Sequence, residues 1–185
     1  VAALSSGQVA ALETADLAAM QTASLRAMTT QAMAGLTSEQ IVALTSAQAA
    51  ALTSGQAAAL STDQIAVMET ADLSALAATS VAAMGTALIE ALTTAQISAI
   101  TSSQLAVLTT AQIQAIQTED IEAMTTAQIS RLSMAQVAAL TSGQVQALET
   151  GDLRTLSAVQ LRALDTAQVQ QLTSEPVSYT HLRAH

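Results

Sequence analysis

An aliphatic residue occupies every eighth position of the chain from Leu4 to Leu172, without a single insertion or deletion. A period this strict means that one small structural unit is stacked on copies of itself many times. We call each eight-residue unit an octad and number its places from one to eight, so that octad 1 begins at Leu4 and place one holds the aliphatic residue. The 22 octads strongly constrain the architecture, but they identify neither a ligand nor a reaction.

The other places of the octad predict a helix start in every unit. Octad 12 is typical, with Leu92 at place one, Thr93 at place two, Gln96 at place five and Ile97 at place six. The spacing Thr-x-x-Gln is that of a capping box, in which each side chain accepts a hydrogen bond from the backbone N–H of the other residue. Leu92 and Ile97 flank this box with the spacing of a hydrophobic staple. The pattern predicts an all-α solenoid of very short capped helices, one per octad.

The charged residues support the same helix boundaries. Of the 14 acidic residues, 12 lie at places two to five, where a new helix would begin. The arginines within the array lie at places seven or eight, where that helix would end; they are Arg26, Arg131, Arg154 and Arg162. This segregation complements a helix dipole by about 0.3–1 kcal/mol per charge.

Two other architectures deserve comparison. In one continuous α-helix, eight residues turn through about 800°, so the row of place-one residues would spiral around the helix. A β-solenoid is the more serious alternative, because the segment 15–17 (Ala-Asp-Leu) echoes pentapeptide-repeat coils. The period here is eight rather than five, and the chain has no Asn and only six Gly for positive-φ turns. The β-solenoid therefore remains the second choice.

Composition restricts the partners. The net charge of −9 and the absence of Lys argue against nucleic acid and anionic membranes, because phosphate binding needs clustered basic residues. The chain has no Cys, so it holds neither disulfides nor thiol chemistry. No apolar run approaches a membrane span, and no signal peptide is visible. Because the chain opens on Val1 in mid-repeat, we expect it to be a piece of a longer array whose partners are its own neighbouring repeats.

A second pattern concerns place five. Gln holds this place in 13 octads, and Asp holds it in four, at Asp16, Asp72, Asp120 and Asp152. Wherever Asp stands there, place two is Glu or Gln instead of a hydroxyl residue, and we expect the Thr at place three to take over as N-cap. Gln at place five could form a ladder between neighbouring turns, but helix capping explains it more simply.

Nothing in the array predicts catalysis, and we expect no enzyme, no cofactor and no metal site. His181 and His185 have the i, i+4 spacing of zinc ligands, yet no third ligand lies near them. The densest acidic cluster, Glu119, Asp120 and Glu122, lacks the alternating carboxylates and Gly of a calcium loop. The many Ser residues have no histidine within the array to act as a base.

The domain boundaries follow from the period. Residues 1–177 form one array, and residues 178–185 form a separate tail that holds the only Tyr and both His. The tail sequence SYTHLRAH resembles a peptide that arises by translation through a sequencing adapter. That resemblance implies a tail foreign to the native protein and a metagenomic source.

Tracts of the form Leu-Thr-Thr-Ala-Gln-Ile-x-Ala-Leu, as at residues 92–100, resemble repeat regions of large bacterial proteins described as haem-utilisation or adhesion proteins. The resemblance implies a secreted or surface-exposed repetitive extension, and it carries over no haem ligand because the array has no His, Cys or Tyr. We therefore expect a rigid spacer or filament-forming stalk. The alternative is a binding module that presents regular Ser and Thr rows to ice or a glycan.

Overall fold

A computed structural model describes residues 4–174. Within that range the chain forms 21 short α-helices, one per octad, and no strand. The all-α solenoid is therefore confirmed, and the β-solenoid alternative is wrong. The helices are α1 Ser6–Ala10, α2 Thr14–Ala19, α3 Thr22–Arg26, α4 Thr30–Ala34, α5 Ser38–Val42, α6 Ser46–Ala51, α7 Ser54–Ala58, α8 Thr62–Val67, α9 Thr70–Ala75, α10 Ala78–Ala82, α11 Thr86–Glu90, α12 Thr94–Ala99, α13 Ser102–Ala106, α14 Thr110–Ala115, α15 Thr118–Ala123, α16 Thr126–Ile129, α17 Met134–Ala139, α18 Ser142–Gln146, α19 Thr150–Thr155, α20 Ala158–Leu161 and α21 Thr166–Ser174.

Two extended residues link a six-residue helix such as α12 to the next, whereas a C-cap residue in the αR conformation, such as Val107 after α13, lengthens the link after a shorter helix. Between α12 and α13, Ile100 at place one has φ −57° and ψ 127°, and Thr101 at place two has φ −73° and ψ 157°. Both conformations are open to any L-residue, and no described residue has a positive φ. The chain therefore changes direction every eight residues without needing Asn or Gly, which explains how a glycine-poor sequence makes so many turns.

The capping boxes form as predicted in most octads. In octad 12 the Thr93 N–H donates to Oε1 of Gln96 at 2.8 Å, and the Gln96 N–H donates to the Thr93 hydroxyl at 3.3 Å. The expectation for the Asp octads is wrong. Their N-cap stays at place two, as at Glu69, and Thr70 at place three is already the first helical residue. These helices begin at the same place as the others because the period of the core fixes the helix start, whatever residue is available to cap it.

Places one and six together build the core. Place-six residues such as Ile97 are 1% exposed, and place-one residues such as Leu92 are 3% exposed. Nearly every helix packs on the helix three octads later, as α6 does on α9 and α7 on α10. Hydrogen bonds between successive turns span 25 to 31 residues. One turn of the solenoid therefore takes between three and four octads.

Close approach of neighbouring turns is visible at Gly35, which ends α4 beneath α1. A Cβ atom added at Gly35 would lie 2.5 Å from Cβ and 2.6 Å from Cα of Ser6. Only a residue without a side chain fits between the two helices at this point.

Candidate functional site

The most organised polar feature of the molecule is the row of glutamines at place five. Gln104 shows the arrangement. Its Oε1 accepts from the Thr101 N–H at 2.9 Å and so caps the start of α13. Its Nε2 donates to the backbone oxygens of Leu73 at 2.8 Å and Leu76 at 2.9 Å, at the end of α9 in the turn below. One side chain therefore joins the N-terminus of its own helix to the C-terminus of another.

We call this arrangement the glutamine clamp. The members that reach both the oxygen 31 residues earlier and the oxygen 28 residues earlier are Gln40, Gln48, Gln56, Gln64, Gln96, Gln104, Gln112, Gln128, Gln136 and Gln144. All of them are buried. The sequence offered helix capping and a ladder between turns as competing explanations for these glutamines. Both are correct, because the carboxamide oxygen caps the helix and the carboxamide nitrogen binds the neighbouring turn.

The clamp satisfies a backbone group that nothing else satisfies. The carbonyl of place one lies outside the helix, and for Leu76 the donor is Gln104 of the next turn. Burying a polar group without a hydrogen-bond partner can cost several kcal/mol. This hydrogen bond therefore contributes more to stability than one at the surface, where water could replace it. The clamp therefore holds successive turns in register and completes the caps of both helix ends.

Aspartate at place five makes a different contact. Asp72 is 2% exposed, and its Oδ1 accepts from the Ser46 hydroxyl at 2.6 Å. Its Oδ2 is buried and has no hydrogen-bond partner. A carboxylate has no hydrogen to donate, so it cannot replace the Nε2 group of a glutamine clamp.

Asp120 occupies the equivalent position in octad 15 and is 2% exposed. Burial raises the pKa of this carboxyl, the hydrogen bond from Thr94 lowers it, and the neighbouring charge of Glu119 raises it further, with a net upward direction. The Asp152 carboxylate accepts from the Glu149 N–H at 3.3 Å, and its backbone carbonyl accepts from the Thr155 hydroxyl at 2.7 Å. Asp16, in the first turn, is exposed.

The residues weighed for metal chemistry are not brought together. Glu119 and Glu122 are exposed, whereas Asp120 between them points into the solenoid. Within residues 4–174 no three His, Cys, Asp or Glu side chains are grouped so that they could hold a metal ion. His181 and His185, and with them the tail assigned to residues 178–185, lie outside the described residues.

The outer surface carries regular hydroxyls and shallow grooves. Place-three residues such as Thr86, Thr94 and Thr110 are exposed. One groove between turns is lined by Glu122, Gln146 and the segment 147–151. These surfaces are polar and open, and they differ from the closed, apolar cleft that a small-molecule site usually needs.

A solenoid of octad helices with caps at place two and clamps at place five defines a class of repeat protein. The chain belongs to the ALTTAQ repeat family, whose pattern matches residues 9–46, 65–102, 89–118, 113–150 and 145–178 and so covers most of the chain. No curated protein matches the chain. None of the helices within residues 4–174 has the length and apolar character needed to cross a membrane.

Proposed function

We propose that this repeat tract is a rigid spacer, which sets a fixed distance within a larger protein or packs into a filament. The glutamine clamp is the observation that carries the proposal. It ties most octads to the preceding turn through buried hydrogen bonds, such as those from Gln128 to Ile97 and Ile100 at 2.9 Å. Because the same bonds recur from turn to turn, adding octads lengthens the rod and keeps its geometry. No new kind of interface is needed for a longer tract.

The composition of the surface supports the same role. The helices present Ser, Thr, Ala and acidic residues to solvent, and the buried residues are almost entirely those of places one, five and six. Hydroxyls at place two are engaged in capping, as Thr109 is with the Gln112 N–H at 3.2 Å. We assign the chain no catalytic role, since these side chains already have a structural partner.

Small-angle X-ray scattering on the whole chain tests the spacer role. A rigid rod gives a pair-distance distribution with an early maximum, set by the width of one turn, and a long linear tail. Deleting three octads, residues 93–116, should shorten the maximum dimension and leave the early maximum in place. A Kratky plot that rises without a peak, as for an unfolded chain, would contradict the proposal.

A second candidate rests on the exposed place-three hydroxyls. On the stacked helices α9, α12, α15 and α18, the place-three residues Thr70, Thr94, Thr118 and Ser142 form an exposed row along the solenoid. Such rows could bind an ordered surface such as ice or a glycan. Ice-shaping microscopy and a glycan array separate this candidate from the spacer, and the absence of any signal in both assays would remove it.

The cellular setting is also part of the proposal. We place the tract in a longer bacterial protein that is secreted or held at the cell surface, with neighbouring repeats and further copies as its partners. The support is the resemblance of its octads to repeat regions of large bacterial surface proteins. Fractionation of cells that express the full-length protein, followed by detection of the repeat tract, tests this location.

A further inference from the structure

Three consecutive octads lack the glutamine clamp. Place five of octads 9, 10 and 11 holds Asp72, Ser80 and Leu88. These octads carry α9, α10 and α11, which pack on α6, α7 and α8 of the preceding turn. We call residues 69–92 the unclamped turn. Among the described octads after Gln40, the other places five without Gln are single, at Asp120 and Asp152, and each has Gln at place five in the octads on both sides.

The same three helices also lack side-chain caps. Their N-cap residues are Glu69, Ala77 and Gly85, and none of them makes the side-chain hydrogen bond of a capping box. A missing cap costs about 0.5–2 kcal/mol in other proteins. The unclamped turn therefore loses both the bonds within each octad and the bonds to the turn below.

The polar contacts that remain across this interface are few. The Ser46 hydroxyl donates to Asp72, the Ser54 hydroxyl donates to the Thr79 carbonyl at 3.2 Å, and the Ser80 hydroxyl donates to the Leu52 carbonyl at 3.2 Å. Each of these is a single bond where a clamp would supply two or three. Apolar packing continues unbroken, with Leu73 and Ile89 fully buried.

The loss leaves acceptors without donors. Leu44 and Leu60, both at place one, lie 28 residues before positions 72 and 88. A glutamine at position 72 or 88 would bind their carbonyl oxygens, but no donor among residues 4–174 reaches either oxygen. The buried Oδ2 of Asp72 is also unpaired. When this interface opens, these acceptor oxygens gain hydrogen bonds from water. Opening therefore costs less free energy here than at a clamped interface, where hydrogen bonds must first be broken.

We propose that the interface between the turn of α6–α8 and the unclamped turn is the joint at which the array opens first. On opening, the side of residues 69–92 that faces α6–α8 becomes accessible. The other side stays bound to the following turn through Gln104 and Gln112. In a spacer of the kind proposed above, this joint would yield under load before the rest. Once the bonds from Gln104 and Gln112 also break, the 24 residues would release up to about 80 Å of extended chain. Only this mechanical meaning rests on the spacer role; the order of opening stands by itself.

Native-state proteolysis of the whole chain tests the joint. A protease that cuts before aliphatic residues finds a site at places one and six of nearly every octad, so the position of the first cut reports local opening rather than sequence. We expect the first cuts within residues 69–92, with two protected fragments, identified by mass spectrometry. Amide hydrogen exchange on the intact chain should show its interior minimum of protection in the same segment.

Two designed repairs and one matched control sharpen the test. Ala77→Thr with Ser80→Gln, and Gly85→Thr with Leu88→Gln, restore a box and a clamp in octads 10 and 11. Each pair should slow the first cut about tenfold or more, since tenfold corresponds to 1.4 kcal/mol, within the net value of two hydrogen bonds. The reverse pair, Ser133→Gly with Gln136→Leu, copies octad 11 into octad 17, whose clamp binds Leu105 and Leu108 rather than the unclamped turn. As a single unclamped octad it should raise amide exchange locally and leave the first cut within residues 69–92.

The outcomes separate the two proposals. Slow and uniform cleavage along residues 4–174, or an interior first cut elsewhere, overturns the joint and leaves the spacer standing. Fast cleavage everywhere, with no fragment accumulating, overturns both. Repaired variants that fold, as judged by circular dichroism, yet are cut at the original rate would also overturn the joint; if a variant does not fold, the exchange profile of the natural chain decides.

Discussion

The Nε2 atom of Gln136 lies 2.9 Å from the carbonyl oxygen of Leu108, which precedes it by 28 residues. The same atom donates to the Leu105 carbonyl at 2.8 Å, while Oε1 accepts from the Ser133 N–H at 2.8 Å. The contacts divide the side chain into a capping half and a clamping half. Substitutions that change one half and keep the other can therefore measure each contribution.

Gln136→Glu keeps the capping oxygen and removes the donating nitrogen. We expect a loss of about 2–4 kcal/mol in the free energy of unfolding, because two buried hydrogen bonds disappear and one carboxylate oxygen then faces the carbonyl oxygens of Leu105 and Leu108. Urea unfolding monitored by circular dichroism measures this loss of stability. Gln8→Glu is the matched control, since Gln8 caps α1 in an exposed position and no earlier turn lies below it among residues 4–174. A loss of equal size in both variants would mean that only the cap matters.

Asp120→Asn tests the buried carboxyl of octad 15. Because the pKa of Asp120 is raised above 3.8 in the folded protein, the folded chain holds this proton more tightly than the unfolded chain does. The contribution to stability is therefore present when the group is protonated and is lost as the pH rises through the folded-state pKa. The contribution of Asp120 to the stability of the natural protein should therefore increase as the pH is lowered from 7 through the folded-state pKa of this carboxyl.

The Asn variant should lose this part of the pH dependence and have a higher urea midpoint at pH 7. An added hydrogen bond to the place-one carbonyl below would contribute about 0.5–1.5 kcal/mol. Glu119→Gln, at an exposed neighbour, serves as the control for the change in net charge. Identical pH profiles for the natural protein and Asp120→Asn would contradict the assignment.

Gly35→Ala tests the close approach of α4 and α1. The new Cβ would lie within 2.8 Å of Cβ, Cα and O of Ser6, so backbone must move. We expect a loss of about 1–3 kcal/mol, as for other overpacked sites, and faster amide exchange throughout α1. Gly7→Ala, in α1 with no atom within 4 Å of the added Cβ, should instead stabilise that helix by about 0.5–1 kcal/mol.

Ile97→Ala tests whether one place-six residue supports the array. Ile97 is 1% exposed, and truncation should cost about 2–5 kcal/mol. Val67→Ala, at an exposed position of the outer surface, should change stability by less than about 0.5 kcal/mol. Thermal unfolding of the two variants under the same buffer conditions gives the comparison, and similar melting temperatures would argue against a core made from place six.

Much of the architecture follows from the sequence, because each octad contains its own helix boundaries. Thr93 and Gln96 are close in sequence, so the capping box between them is a local event that the spacing alone predicts. The N-cap of the Asp octads was predicted wrongly at Thr70, because local preference favoured a hydroxyl cap while the packing of Leu73 and Leu76 in the core fixes the helix start at Glu69.

The clamp was harder to predict, since its acceptors lie 28 and 31 residues earlier and their proximity depends on how many octads make one turn. One signal was present: place five is never Glu, although Glu forms a capping box as readily as Gln. The absence of Glu indicates that the nitrogen of the carboxamide is needed. Which carbonyls receive it could be found only from the packing of one turn on another.

The number of octads per turn has a consequence for how such proteins change in length. Because a turn takes between three and four octads, one inserted octad adds only part of a turn. It therefore rotates all the octads that follow about the long axis by roughly a third of a circle. The added octad still meets suitable partners, since every turn offers the same carbonyls. Gain or loss of 24 base pairs in the gene would thus adjust both the reach of the tract and the direction in which whatever it carries is pointed.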